Sequence, residues 1–189
     1  MRAFNYYHMN RIFHFTIILL ILGSFSELKA QEEIEKETEE GKHVVALLLG
    51  HSRIGQGRSS EGKKQFTMVP SFALDYSYWF SKKFALGIQT DFVNENYFIE
   101  TGEEDGVVER ERPIAPTITG SYKFGKHWNV SLGFGGEFAK GENYFVSRLS
   151  LEYGVEISNG WEMVAVLSQD VRSNIYDVTV FAVGIAKRF

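Results

Sequence analysis

The sequence predicts an all-β protein, an eight-stranded antiparallel up-and-down transmembrane β-barrel. Three observations carry this. From residue 42 onward, eight strand-length segments alternate bulky apolar residues with polar or small ones at the period of a β-strand. The breaks between them are alternately long and short. The polar face mixes Gly, Ser and Thr with charges of both signs, which suits the crowded inside of a narrow barrel, while the bulky face suits lipid.

At 189 residues the chain suits one domain. It has no cysteine, which excludes disulfides, thiolate chemistry and Cys-containing zinc sites. Residues 1–30 read as a signal peptide: Arg2 and Arg11 precede an apolar run, and Leu28-Lys29-Ala30 supplies a cleavage site, predicting Sec-type export with processing near Ala30. That run is shorter than the ~20 apolar residues a spanning helix needs, so any membrane crossing must use strands. Removing Arg2, Arg11, Lys29 and Glu27 takes the formal charge from -4 to -6, and segment 31–41 holds six Glu and one Lys. It is expected to be an acidic periplasmic tail, leaving the barrel domain, 42–189, close to neutral. Neither part offers the basic surface that nucleic-acid binding requires.

The expected strands are 42–51, 66–80, 84–98, 113–124, 128–138, 144–157, 161–169 and 176–189. In the first, Val45, Leu47 and Leu49 share a face with His43. The second is the most regular: Phe66, Met68, Phe72, Leu74, Tyr76, Tyr78 and Phe80 oppose Thr67, Ser71, Ala73, Asp75 and Ser77. Only Trp79 is out of phase with the aromatic face there. The third sets Phe84, Leu86, Ile88 and Phe92 against Gln89, Asp91 and Glu95; the fourth sets Ile114, Ile118, Tyr122 and Phe124 against Thr117, Thr119, Ser121 and Lys123. The fifth opposes Trp128, Val130, Leu132, Phe134 and Phe138 to Asn129, Ser131, Gly133, Gly135 and Glu137. The sixth opposes Phe145, Leu149, Leu151, Tyr153, Val155 and Ile157 to Arg148, Ser150, Glu152, Gly154 and Glu156. Ser158-Asn159-Gly160 is a hairpin turn into the less regular seventh strand. The eighth carries Phe181, Val183, Ile185 and Phe189 on one face and Val178, Val180, Ala182, Gly184, Ala186 and Arg188 on the other.

Alternation alone fits a soluble barrel equally well, with the apolar face turned inward. The choice of lipid outside rests on the other face, where Asp75, Asp91, Glu95, Glu137, Glu152, Glu156 and Glu162 are set against Lys123, Arg148 and Arg188, a lumen charge network among small residues. It rests also on aromatics beside the short turns. Tyr76, Tyr78, Phe80, Tyr122, Trp128, Trp161 and Phe189 form an expected membrane girdle on that side. The long breaks, 52–65 and 99–112, are then outward loops.

With its alternating last strand ending on Phe189, the chain resembles the small eight-stranded bacterial outer-membrane β-barrels, the porin-like class that includes the outer membrane protein A and X barrels. The resemblance covers 42–189 in architecture and implies an outer-membrane location and a monomer. It further implies contact with outer-membrane lipid and lipopolysaccharide, and recognition of Phe189 by the barrel assembly machinery. The expected role is structural or interactive at the cell surface, without enzyme activity or cofactor. Alternatives are a lipid-modifying enzyme of the lipid A deacylase or acyltransferase type, a soluble lipocalin-like carrier, and a narrow pore. The enzyme alternative rests on His51, Ser52 and Glu137 near the outer rim, since a His can activate a Ser nucleophile. Neighbours on a strand point to opposite faces, which counts against that pair. Basic residues of the first loop, Arg53, Arg58, Lys63 and Lys64, suit lipopolysaccharide phosphates. No two His share a metal-ligand spacing, so no metal site is read.

Overall fold

The computed structural model describes residues 42–58, 64–100, 106–173 and 175–189. The expected signal peptide and acidic tail lie outside the described residues. Ten strands are present among the described residues: β1 (His43–Arg58), β2 (Lys64–Trp79), β3 (Phe84–Val93), β4 (Tyr97–Glu100), β5 (Val107–Arg110), β6 (Ile114–Phe124), β7 (Trp128–Glu137), β8 (Tyr144–Ser158), β9 (Trp161–Arg172) and β10 (Tyr176–Arg188). Eight of them close into one barrel, each antiparallel to its neighbours, with β10 returning to β1. The closing ladder runs from Val44↔Arg188 to Ile54↔Val178. Beyond it, the His43 and Phe189 amides each donate to the other's carbonyl, at 3.3 and 2.8 Å. Closure leaves no wall edge unpaired over that ladder. The tight turn expected at Asn159-Gly160 is present, with positive φ at both residues as a two-residue hairpin loop requires.

The strand limits differ most from expectation in three places. β1 runs on to Arg58 and β9 to Arg172, because Ser52, Asp170 and Arg172 continue the inward phase of their strands. In a barrel with a polar lumen, polarity does not mark a strand's end. β3 stops at Val93, and the expected loop 99–112 holds all of β5 and half of β4, which pair as a second ribbon in register from Tyr97↔Arg110 to Glu100↔Val107.

The two faces are distributed as lipid demands. Leu49, Ile118 and Phe134 are 67%, 71% and 62% exposed on the outside, whereas Glu137, Asp170 and Arg148 are 0%, 0% and 4% exposed inside. A lipocalin-like carrier needs the reverse, so that alternative is corrected by the geometry. The girdle residues Tyr76, Tyr78, Phe80, Trp128, Trp161 and Phe189 are exposed at the short-turn end, and Tyr122 sets its ring, tilted, 5.1 Å from that of Phe84 there. Trp79 is out of phase because it points into the lumen mouth, where the Arg188 guanidinium lies 5.8 Å above its ring.

Candidate functional site

The most organised chemistry in the molecule is an alternating chain of charges along the lumen. It starts on β5, where Arg110 donates to Glu137 Oε1 from Nε at 2.9 Å and from Nη2 at 2.6 Å. The other Glu137 oxygen accepts from Arg172. Arg172 also reaches Asp170 at 3.3 Å. Asp170 in turn takes a fork from Arg148, whose Nε and Nη2 donate at 2.8 and 2.7 Å, and the same Nη2 donates to Asp91. Three guanidiniums thus alternate with three carboxylates, drawn from β3, β5, β7, β8 and β9. Each carboxylate is buried, so the pairing is required: an ion taken out of water without its partner costs several kcal/mol. The bidentate fork suits Arg rather than Lys at position 148.

Local sequence explains why these groups meet. β8 and β9 pair Arg148 directly with Asp170, and β7 sets Gly133 opposite Arg148. A Cβ at Gly133 would come within 2.6 Å of the Thr119 methyl, so glycine at this position leaves room inside the barrel.

The β4–β5 ribbon covers the loop-side end of this chain. Its inner face presents Tyr97, Ile99 and Arg110, which are 3%, 1% and 0% exposed. Ile99 belongs to the same buried apolar cluster as Leu48, Ile54 and Val178 of the wall. Arg110 also donates to the Glu142 carbonyl at 2.5 Å and lies 4.4 Å over the Tyr144 ring. The Tyr97 hydroxyl sits 3.0 Å from that of Tyr176, which donates to Glu137. Burial and then the Glu137 charge push the Tyr97 phenol up to about 12, so it remains a neutral hydrogen-bonding group.

Toward the short turns the lumen opens into a cavity of about 30 Å³ lined by Asp75, Trp79, Gln89, Glu152, Glu162 and Arg188. That is room for about two waters, far from the roughly 300 Å³ that an organic ligand needs. Asn129 donates to Glu152 at 2.7 Å, Arg188 reaches Glu162 at 3.4 Å, and the Thr90 amide donates to Asp75 at 3.3 Å.

Of the charge network read from the sequence, Asp75, Asp91, Glu137, Arg148, Glu152, Glu162 and Arg188 face the lumen, and Lys123 is half-buried opposite Asn129. Two assignments are corrected. Glu95 is exposed, because β3 ends at Val93 and its phase does not reach that far. Glu156 is exposed at the short-turn end, opposite Glu162 and just before a register shift. The catalytic candidates are also not brought together. His51 faces outward and is exposed, while Ser52 is buried inside with its hydroxyl donating to Ser71 at 2.9 Å. Glu137 is fully engaged by Arg110, Arg172 and Tyr176. The lumen groups expected from the sequence do not include Arg110, Asp170, Arg172, Tyr97 or Tyr176. For Asp170 and Arg172 the signal was present, since they continue the alternation of Val164, Val166 and Ser168.

A closed eight-stranded antiparallel wall, apolar outside and filled with paired charges inside, defines a small transmembrane β-barrel. No protein-family model matches the chain, and no curated protein matches its sequence. Among solved structures, Neisserial surface protein A aligns with a TM-score of 0.52 at 9% identity, over 79% of this chain and 99% of that one. Ail, the attachment invasion locus protein of Yersinia pestis, in complex with the heparin analogue sucrose octasulfate, aligns at 0.49 and 14% identity, over 78% and 99%. The outer membrane protein OprG from Pseudomonas aeruginosa aligns at 0.47 and 13%, over 79% and 97%. At these identities the likeness is one of fold, and the first of the three shows it.

Proposed function

We propose that this chain is a non-conducting bacterial outer-membrane protein, exported by way of its signal segment, that acts structurally or by presenting its long loops at the cell surface. The observation that carries the reading is the combination of an apolar outer belt with a lumen filled by ion pairs and covered by β4–β5. Short turns and the His43–Phe189 end of the β1–β10 seam then face the periplasm, with the long loops outward, as in barrels of this architecture. A closed wall with no free edge supports a monomer. Exposed Phe189, last outward residue of the closing strand, is available to an assembly machinery before insertion.

The test is a gel comparison of boiled and unboiled protein after membrane fractionation, followed by planar-bilayer recording. The expected result is an outer-membrane band that shifts on boiling and a bilayer without discrete current steps. A soluble chain that shows no shift would remove the membrane reading, and stepwise conductance would remove the sealed lumen.

A further inference from the structure

The two strands of the β4–β5 ribbon are held to the wall in different ways. β4 is held by apolar burial, since Tyr97 and Ile99 both belong to the wall's buried cluster. β5 exposes Val107 and Glu109 and half-buries Val108, so Arg110 is its one fully buried side chain. β5 pairs with β4 over four residues. The joint between β5 and β6 contains Arg112 with a φ of 39°, a left-handed conformation that is costly for a residue other than glycine.

What receives Arg110 lies wholly outside the ribbon, on β7, β8 and the connection between them. Glu137 Oε1 accepts from Nε and Nη2 at 2.9 and 2.6 Å, the Glu142 carbonyl accepts from Nη1 at 2.5 Å, and the guanidinium lies 4.4 Å over the Tyr144 ring. The Tyr144 hydroxyl donates to the Glu142 carboxylate at 2.8 Å, and its ring stands edge-on to that of Tyr176 at 6.0 Å. The ring is therefore oriented by groups other than the ribbon. A carboxylate, a carbonyl and an aromatic face, aimed at different parts of one planar cation, match a guanidinium and not the compact ammonium of a lysine.

We propose that Glu137, Tyr144 and the Glu142 carbonyl form a guanidinium-binding site that Arg110 fills in cis, and that an arginyl side chain of another peptide takes its place when β5 lifts. Opening by exchange keeps Glu137 paired throughout, so it avoids the penalty of a buried carboxylate left alone. β4 stays anchored by Tyr97 and Ile99 while β5 leaves. Carboxylates outnumber cations at this mouth, with Glu109, Glu111 and Glu142 against Arg112 and Lys140. That balance favours an arginine carried in a peptide over free arginine, which brings a carboxylate of its own. With the long loops outward, as proposed above, the donor is a peptide outside the cell.

The test is hydrogen exchange of the β4–β5 amides, read by mass spectrometry on the full mature chain in detergent. The additives are N-acetylarginine amide, methylguanidinium, free arginine and methylammonium. A ligand that binds only when Arg110 is out multiplies the open population by 1 + [L]/Kd. At about ten times its Kd, N-acetylarginine amide should therefore speed exchange in the ribbon roughly tenfold and leave the wall amides unchanged. Methylguanidinium should do the same, free arginine less, and methylammonium nothing. In Arg110→Ala, ribbon exchange should start fast and gain nothing from either guanidinium, because no resident side chain is left to displace. Arg110→Lys should also start faster than the unaltered protein, since an ammonium cannot make the same set of contacts. No acceleration in the unaltered protein, equal acceleration by methylammonium, or acceleration that persists in Arg110→Ala would overturn the site. Free arginine acting as well as N-acetylarginine amide would overturn the peptide as its source. If Arg110→Ala refolds without a boiling shift, methylguanidinium should restore the shift and methylammonium should not; failure to restore it counts against the site. The assay does not depend on which way the loops face. Loss of the boiling shift in the unaltered protein counts against the barrel reading itself, whereas a shifting barrel whose ribbon ignores guanidinium counts only against this site.

Discussion

Replacing Glu137 by Ala is expected to destabilise the barrel by about 3–5 kcal/mol, because it leaves Arg110 and Arg172 buried without their shared carboxylate. The measurement is urea-dependent unfolding of the refolded barrel in lipid vesicles, followed by tryptophan fluorescence. A cost below about 1 kcal/mol would mean that the two guanidiniums find other partners or water. A double-mutant cycle with Arg110→Ala separates the pair itself from the penalty of orphaning. The singles should each be costly and the double should cost less than their sum, by about 0.5–3 kcal/mol. The same change should free the ribbon: Arg110 keeps only its bond to the Glu142 carbonyl and its contact with Tyr144. Protease cleavage between β4 and β5 should therefore accelerate in Glu137→Ala while the wall still shifts on boiling.

Ile118→Arg is expected to cost about 2–4 kcal/mol in a bilayer, the range for a cation on the lipid face near the midplane. Ile118 is 71% exposed and sits mid-strand, opposite Ile88 on one side and Phe134 on the other. Phe80→Arg, at the girdle, should cost no more than about 1 kcal/mol for the charge, because the headgroup region accepts it. The depth dependence is the decisive part. On a barrel surrounded by water, an exposed isoleucine exchanged for arginine would be near neutral at both positions, so equal small effects would contradict a lipid-facing wall.

The wall was legible in the sequence because one physical rule, alternation of faces, applies to every strand and fails visibly at turns. The phase of β2, β6, β7 and β10 follows from residues such as Phe72 against Ser71 or Phe181 against Ala182 without any tertiary knowledge. The loop-side strand ends were not legible for the same reason. Inside a polar lumen, Ser52, Asp170 and Arg172 satisfy the alternation while reading as loop residues by composition. Arg110 lay further out of reach. It sits in a run of alternating Glu and Arg whose local pattern describes a solvated segment, and its burial depends on a ribbon folding back to a glutamate on β7. Glu95 erred in the opposite direction, since the phase of β3 was extended past a strand end that only the structure marks.

The pairing of His43 with Phe189 bears on how the molecule can be made. The two residues that finish the seam lie almost at opposite ends of the described chain, so closing that last ladder brings together segments separated by almost the whole barrel sequence, a slow and entropically costly contact. Until β10 meets β1, an arc of strands carries two rows of unsatisfied amides and carbonyls, which hydrocarbon does not tolerate. Partial arcs are therefore poor residents of a bilayer. Insertion and ring closure are expected to be a single concerted event, and a catalyst of this step has to shield the open margins of β1 and β10 until they can be joined to each other.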